Sequence, residues 1–567
     1  VYAGQAHSET LPDGARKGYF IGDGTGVGKG REIAAILWDN FNQGRKKAIW
    51  ISQNSPLIKD AARDIEGVGW DPNLLFDLGK VKLHSDIHQA KGIGFVGYGT
   101  LKMEKSSDGK KVSRLQQIVK WLGEDFDGVI AFDESHNMGN AVAVKGKRGM
   151  TKPSATALAG IELQKLLPKA RVLYVSATGA TEVMNLAYAT RLGLWGDKTP
   201  FASAKAFVQD ISGGGIGIME MVAQNMKAMG VYTARSLAYE DVKYDRLEHT
   251  LTPSQREVYD EMAGAWQGVL RDINAALRLT GVKDADTGRT MNGQAVAAAM
   301  SKFWGTNQRF WNQIITAMQM PSVVSAIEKD MKDGHSVVIQ LVNTNEAAQE
   351  RAIARLEEGE ELEDLDLTPR DSLMEYIKHS YPVQQFEEYT DEEGNVKSRP
   401  VVDSQGNPVL NREAVAQREA LLTRIGSIRV PDGPLEIILH HFGTDNVAEV
   451  TGRTRRVVYK DTPEGKKRVS ESWGKNRGMA DADQFMDGKK RILVFSYAGG
   501  TGRSYHADLT AKNQQLRKHY LVQAGWRADR AVQGLGRTHR TNQKQAPEWI
   551  LVTTDLQGQK RVISSIA

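Results

Sequence analysis

Four groups of residues have the types and spacing to work on phosphate. The first is Gly22-Asp23-Gly24-Thr25-Gly26-Val27-Gly28-Lys29-Gly30-Arg31, directly after the apolar run Tyr19-Phe20-Ile21 and directly before a stretch with helical spacing. Glycines let the backbone curl until its N–H groups converge on phosphate oxygens, and the helix N-terminus behind them adds partial positive charge. Lys29 supplies a point charge for the β and γ phosphates. Residues Gly24 to Arg31 are therefore the candidate nucleotide contacts. One position departs from the usual pattern. The residue after the lysine is normally Ser or Thr, whose hydroxyl binds Mg²⁺, and here it is Gly30. The cation must be held otherwise: by Asp133, water and the nucleotide, with Asp23 or Thr25 as substitutes.

The second group is Asp133-Glu134-Ser135-His136, immediately after the apolar run Val129-Ile130-Ala131-Phe132. A carboxylate at the end of a buried parallel strand is where a Mg²⁺ partner belongs, which assigns the metal to Asp133. Glu134 beside it can orient and deprotonate an attacking water. The third, Ser176-Ala177-Thr178 after Leu173-Tyr174-Val175, is by itself a generic turn, and only its order and spacing give it weight. The fourth, Gln533-Gly534-Leu535-Gly536-Arg537-Thr538-His539-Arg540, lies far along the chain. Two arginines three apart on a helix face one side, and guanidinium groups brought from an opposing domain stabilise charge in phosphoryl transfer by roughly 10³–10⁵ in rate. The same pair also suits a basic surface helix or a nucleic-acid backbone.

The elements that must position these groups follow from the apolar pattern. Runs at Gly18 to Ile21, Ala48 to Ile51, Gly94 to Val96, Gly128 to Phe132 and Arg171 to Val175 read as buried strands alternating with amphipathic helices. That rhythm signals a mainly parallel sheet with helices on both faces. From about 200 to 320 the chain is rich in Met, Ala and Gln and reads as helical, with Trp266, Trp304 and Trp311 as packing anchors. Ser336 to Val342, Arg491 to Phe495 and His519 to Val522 open a second strand-rich segment. An acidic insertion from about 345 to 429 includes Leu356 to Asp364 and a hairpin-like Asp391-Glu392-Glu393-Gly394-Asn395, and reads as a solvated face or loop.

At 567 residues the chain needs more than one core, and 40% hydrophobic with 25% charged residues is ordinary globular composition. A net charge of +5 permits contact with phosphate backbones without arguing for it. With no cysteine, disulfides, thiolate zinc and cysteine nucleophiles are excluded from this sequence. No apolar stretch reaches about 18 residues, so no membrane span is expected. The chain starts at Val1 with no signal pattern and stops at Ala567 inside a helix-like run. It reads as a piece of a larger polypeptide carrying further domains.

In order, the four groups resemble motifs I, II, III and VI of superfamily 2 helicases, and the set resembles the strawberry notch family of helicase-like ATPases, bacterial and phage members included. Further family-like stretches are Tyr98-Gly99-Thr100-Leu101, Gly214 to Met221, Ala448-Glu449-Val450-Thr451-Gly452-Arg453 and Gly499-Gly500-Thr501-Gly502-Arg503-Ser504. The resemblance makes Gly30 a family trait. It implies that Gln5 reads adenine, that Thr100 touches the nucleic-acid backbone, and that Ser176 and Thr178, with Gln533, couple hydrolysis to movement. It also implies that Gly502 lies near both ATP and nucleic acid, and that Arg537 and Arg540 are arginine fingers. Gln533 to Gln543 and Leu251 to Tyr259 also resemble SWI/SNF-type remodellers, which translocate on duplex DNA.

The implied fold is α/β: two RecA-like doubly wound parallel-sheet lobes, 1–200 and 321–567, with a helical insertion at 201–320. The implied activity is ATP hydrolysis with Mg²⁺ driving movement on nucleic acid, duplex DNA favoured. The alternatives are a nucleotide-gated scaffold with little turnover and a strand-separating RNA or DNA helicase. The expected location is the cytoplasm of a bacterial or phage-infected cell, or the nucleus if the source is eukaryotic.

Overall fold

Seven strands form the first sheet: β1 (Tyr19–Ile21), β2 (Lys47–Ser52), β3 (Leu75–Asp77), β4 (Gly92–Gly97), β5 (Val129–Asp133), β6 (Arg171–Val175) and β7 (Tyr232–Thr233). In this computed structural model they run in the order β7-β1-β6-β5-β2-β4-β3, and every neighbour pair is parallel. The structure describes residues 1–107, 110–143, 145–146, 149–150, 152–177, 183–212, 215–342, 369–392, 394–428, 430–462, 465–473, 475–497, 503–525 and 528–564. Thr178, Gly502 and the acidic run 356–364 lie outside them.

The strands read as continuous apolar runs because both faces of the sheet are covered. Phe20, Ile130, Phe132, Val172 and Tyr174 pack into one core, while their neighbours Tyr19, Ile21, Val129, Ala131, Leu173 and Val175 pack into the other. This is the period-2 alternation of a strand with a core on each side. Helix α1 (Lys29–Asn42) buries Ile33, Ala34 and Leu37 against the second core, and α2 (Ile58–Gly67) packs alongside it.

The chain divides into two compact units, Val1–Tyr239 and Glu240–Ala567. The stretch expected as one helical insertion is thereby divided. Its first part, with helices Ala204–Ser212 and Gly215–Ala228, returns to the first sheet as edge strand β7. Tyr232 of β7 sets its ring edge-on to Phe20, 5.7 Å between centroids. The shift in composition near residue 200 therefore marks a helical excursion within the first unit.

In the second unit β8 (Lys243–His249), β9 (Ser336–Leu341), β10 (Val447–Val450), β11 (Ile492–Ser496), β12 (Arg517–Leu521) and β13 (Glu548–Thr554) form a parallel sheet in the order β8-β13-β12-β9-β11-β10. Val337, Ile339, Ile492 and Val494 face one core, and Val338, Leu493 and Phe495 the other. Both sheets are of the doubly wound, RecA-like kind. Helices α3 (Pro253–Leu279), α4 (Gly293–Lys332), α5 (Pro369–Ser380) and α6 (Arg412–Gly426) build a separate helical core in this unit. Trp266 is buried there, edge-on to Phe303 and Phe310. Trp311 is half-buried beside Tyr259, whereas Trp304 is 49% exposed and meets Phe303 edge-on. Phe386–Thr390 and Val396–Pro400 pair as an antiparallel hairpin where the acidic turn was read. Among the described residues no helix is long and apolar enough to cross a membrane.

Candidate nucleotide site

In the first unit the glycine loop, the acid pair and Ser176 each follow the carboxyl end of a strand, the edge where open parallel sheets bind ligands, whereas Gln5 precedes β1. After β1 comes the glycine loop. Gly26 (φ 91°) and Gly28 (φ 110°) take left-handed backbone that a side chain would strain, and Gly28 caps α1. Gly22 and Gly24 donate their N–H groups to Thr233 O and Arg235 O, each at 2.7 Å. The loop is thus stitched to the chain leaving β7. A Cβ on Gly22 would meet the Tyr232 ring, with Cζ at 2.6 Å. The Lys29 ammonium lies on the loop itself, 3.1 Å from Asp23 O and 3.2 Å from Gly24 O. Thr25 and Val27 are half-buried and Arg31 is exposed.

Asp23 was one of two candidates to replace the missing hydroxyl as a metal ligand, and the structure gives its carboxylate another task. It is fully buried, with Oδ1 accepting from the Arg235 backbone N–H at 2.9 Å and Oδ2 accepting from Arg235 Nε at 2.9 Å and Nη2 at 2.5 Å. Glu32 of α1 contacts the same guanidinium. Asp23 is a clamp on the loop, because both its oxygens are occupied.

After β5 stand Asp133 and Glu134. Ser52, at the end of β2, donates its hydroxyl to Asp133 Oδ2 at 2.8 Å, and the Glu134 N–H donates to Oδ1 at 3.0 Å. Burial, and then the Glu134 charge, push the Asp133 carboxyl up to about 7, against the pull of Ser52 and Lys29. Glu134 itself sits at φ 48°, ψ 47°, a left-handed conformation that costs a non-glycine residue roughly 1–2 kcal/mol. Strain of this sort concentrates at working sites. Glu134 Oε2 is buried and accepts no hydrogen bond. The nearest cation candidate, His136 Nδ1 at 3.4 Å, already bonds with Ser176 Oγ at 3.0 Å. That bond ties the acid pair after β5 to the turn after β6.

Around this centre, Tyr98 donates its hydroxyl to Asp133 O at 3.0 Å, which fixes the short helix Tyr98–Leu101 carrying half-buried Thr100. Gln5 is exposed on the helix Tyr2–Ala6, whose Ala3 and Ala6 pack on the core beside β1. Sequence reasoning missed Ser52 and Arg235, and it named Tyr98 and His136 within their motifs without giving either a role of its own. Ser52 adjoins a run it did identify, but nothing in the sequence links Arg235 to a loop more than 200 residues earlier.

In the second unit, half-buried Gln533 lies on α7 (Ala528–Leu535), the helix after β12. The two arginines were expected on neighbouring turns of that helix, and this is corrected. The helix ends at Leu535, and Gly536 leads into a turn in which the Arg537 N–H bonds Gly534 O at 3.0 Å. Arg537 is buried, with Nη1 donating to Arg503 O at 2.8 Å and its guanidinium 5.5 Å from the Phe495 ring centre. Arg540 is half-buried, its N–H held by Gln543 Oε1 at 3.0 Å.

The chemistry of the donor set fits a nucleoside triphosphate with a divalent cation: glycine amides, an ammonium, a raised carboxyl and a second, unsatisfied carboxylate oxygen at one sheet edge. Among the described residues no three His, Asp or Glu side chains gather to hold a metal by themselves.

Residues 1–261 match the family described as P-loop containing NTP hydrolase pore-1, and residues 433–567 match the C-terminal domain on strawberry notch homologues. The chain is 34% identical over 641 residues to rat Protein strawberry notch homolog 1, covering 100% of this chain and 49% of that protein. It is 30% identical over 683 residues to Protein FORGETTER 1 of Arabidopsis thaliana, covering 100% and 51%. The chain thus spans about half the length of the curated relatives it matches. Among solved structures it is similar to the helicase domain of Pyrococcus furiosus Hef, with 13% identity, 97% and 95% coverage and a TM-score of 0.36. It is also similar to S. cerevisiae Dbp5 bound to RNA and ADP BeF3, with 10% identity, 100% and 86% coverage and a TM-score of 0.38. Likenesses at that distance add nothing to the topology.

Proposed function

The chain belongs to the strawberry notch family, and from that premise we propose that it is an ATP-driven nucleic-acid motor that translocates on or remodels DNA, with duplex DNA its favoured track. The observation that carries the reading is the glycine loop and its Lys29 at the end of β1, with the strained acid pair Asp133 and Glu134 at the end of β5, only β6 between them in the sheet.

In this mechanism the amides of Gly24 to Gly28 and the Lys29 ammonium bind the triphosphate, Gly30 and Arg31 border it, and Gln5 reads the adenine. Asp133 would hold Mg²⁺, which would neutralise charge on the phosphates. Glu134 takes the proton of the attacking water, its buried Oε2 being the acceptor no other group has claimed. Arg537 and Arg540 stabilise the transition-state charge from the second unit. The His136–Ser176 bond relays the state of the acid pair to Ser176, and Ser176, Thr178 and Gln533 couple hydrolysis to movement. Thr100 contacts the nucleic acid, and Gly502 serves both the ATP and the nucleic acid. Domains beyond this chain complete the working protein.

Gly30 favours a second reading, a nucleotide-gated scaffold with little turnover, because the hydroxyl that usually places the cation is missing. ATP hydrolysis by the wild type and by Glu134→Gln, each alone and with duplex DNA, single-stranded DNA or RNA, separates the readings. Duplex-stimulated turnover abolished in the variant supports the translocase. Stimulation by single strands alone points to a strand-separating helicase. Turnover indifferent to every nucleic acid removes the motor, and no turnover at all leaves the scaffold.

A further inference from the structure

Gly30 is the second residue of α1, and what fills the space beside it is a carboxylate. A Cβ built on Gly30 would lie against Asp64 of α2, 2.8 Å from Cγ and 3.5 Å from Cβ, with Oδ2 nearer still. A serine or threonine hydroxyl stands one bond beyond Cβ. The Asp64 oxygen therefore occupies the neighbourhood in which that hydroxyl would lie, and the hydroxyl is the group that reaches the nucleotide's cation from a phosphate loop. The Asp64 side chain is 22% exposed. Its other oxygen, Oδ1, is 4.0 Å from Nε of Arg31, a side chain itself 47% exposed.

We propose that Asp64 replaces the missing hydroxyl at position 30 and, together with Asp133, holds the nucleotide's divalent cation, directly or through one of its waters. This rests on the nucleotide reading of the preceding subsection and names a residue that reading leaves out. The exchange has an electrostatic consequence. A hydroxyl is neutral, whereas a carboxylate draws in the cation and, when no cation is present, repels the triphosphate. Nucleotide binding in this chain is therefore far more dependent on the cation than a hydroxyl at the same place would make it.

The test is titration of a fluorescent ATP analogue in Mg²⁺ and in EDTA, with bound Mn²⁺ read by electron paramagnetic resonance in the presence of the analogue. The wild type binds at least tenfold more tightly with Mg²⁺. Asp64→Ala and the isosteric Asp64→Asn each bind at least tenfold more weakly in Mg²⁺, bind no more weakly in EDTA, and lose the Mn²⁺ signal. Removing Asp64 makes room at position 30, so Gly30→Ser with Asp64→Ala restores Mn²⁺ binding, and Gly30→Ala with Asp64→Ala does not. Asp64→Asn keeping the wild-type ratio of the two affinities would overturn the proposal, and so would equal rescue by the alanine pair, because either result assigns Asp64 to packing. A wild type that binds no ATP analogue in either condition removes the nucleotide reading itself, a result distinct from both.

Discussion

The two units share a doubly wound parallel sheet and place the charged groups of their motifs differently. In the first, charged groups stand at the sheet's carboxyl edge: Lys29 rests on two loop carbonyls, and among the described residues no group donates a hydrogen bond to the buried Glu134 Oε2. In the second, three arginines of or near the motifs are fixed inside. Arg517 is 1% exposed and donates to Tyr505 O and Asn513 O, and burial alone pushes its guanidinium down to about 9. Arg453, also 1% exposed, donates to both oxygens of Glu449 at 2.5 and 2.7 Å and to Glu436 at 3.0 Å. Arg537 packs on Phe495. The difference teaches that one fold can carry a reactive edge in one copy and a rigid frame in another. Of the second unit's two motif arginines, only Arg540 keeps a surface to offer a partner.

The contrast is broken or sharpened most strongly by Arg540→Ala, which should lower kcat for ATP roughly 10³-fold or more and leave the unfolding midpoint of the second unit in place. Arg537→Ala should lower both, and equal stability of the two variants would erase the distinction. Glu134→Gln should lower turnover about 10²–10⁴-fold with ATP affinity retained. Loss of affinity instead would mean that the left-handed turn holds the loop and does no proton transfer. Arg453→Met leaves Glu449 and Glu436 buried without their partner and should destabilise the second unit by about 3–5 kcal/mol, read by hydrogen exchange on β10 and β11. A change confined to the surface rate would show that the buried cluster is not structural.

Acid should separate the units further. Burial pushes His506 down to about 4 and His519 to about 3, so both stay neutral in the folded second unit while the unfolded chain takes up protons below about 6.5. Their stability is complete above pH 6.5 and is lost as pH falls toward 4, at about 1.4 kcal/mol per pH unit for each. In the first unit His7, pushed down to about 4, acts in the same direction. Asp133, raised to about 7, acts in the opposite one, because the folded state holds its proton where the unfolded state has released it. Between pH 6.5 and 4.5 the second unit should therefore open first in hydrogen exchange, and the first unit opening earlier would contradict this. The smallest effect belongs to Ser176→Ala. Losing one hydrogen bond to His136, about 0.5–1.5 kcal/mol, should reduce stimulation by nucleic acid more than basal turnover.

The strands doubly covered by helices were legible because burial on both faces writes a continuous apolar run, as in Val129 to Phe132 and Ser336 to Leu341. Edge strands were not. β7 is two residues long, and β8, Lys-Tyr-Asp-Arg-Leu-Glu-His, exposes four of its seven residues at a sheet border where charge is tolerated. The reading also misses β13, although Trp549 to Val552 is as apolar as the strands it finds. The loop and the acid pair could be recognised because their chemistry is local in sequence. Asp64 and Arg235 could not, since each matters only through a neighbour brought close by folding.

The clamp between Asp23 and Arg235 sets the order in which the first unit becomes functional during synthesis. Its two ends are 212 residues apart, so the glycine loop leaves the ribosome long before the residue that fixes it. At roughly 5–20 residues per second that interval is about 10–40 seconds. For that time the nascent first unit carries its phosphate-binding residues with the loop unclamped. ATP should therefore be unable to act as a folding template for the early chain, and a ribosome-bound nascent chain should acquire nucleotide affinity in one step, as residue 235 clears the exit tunnel.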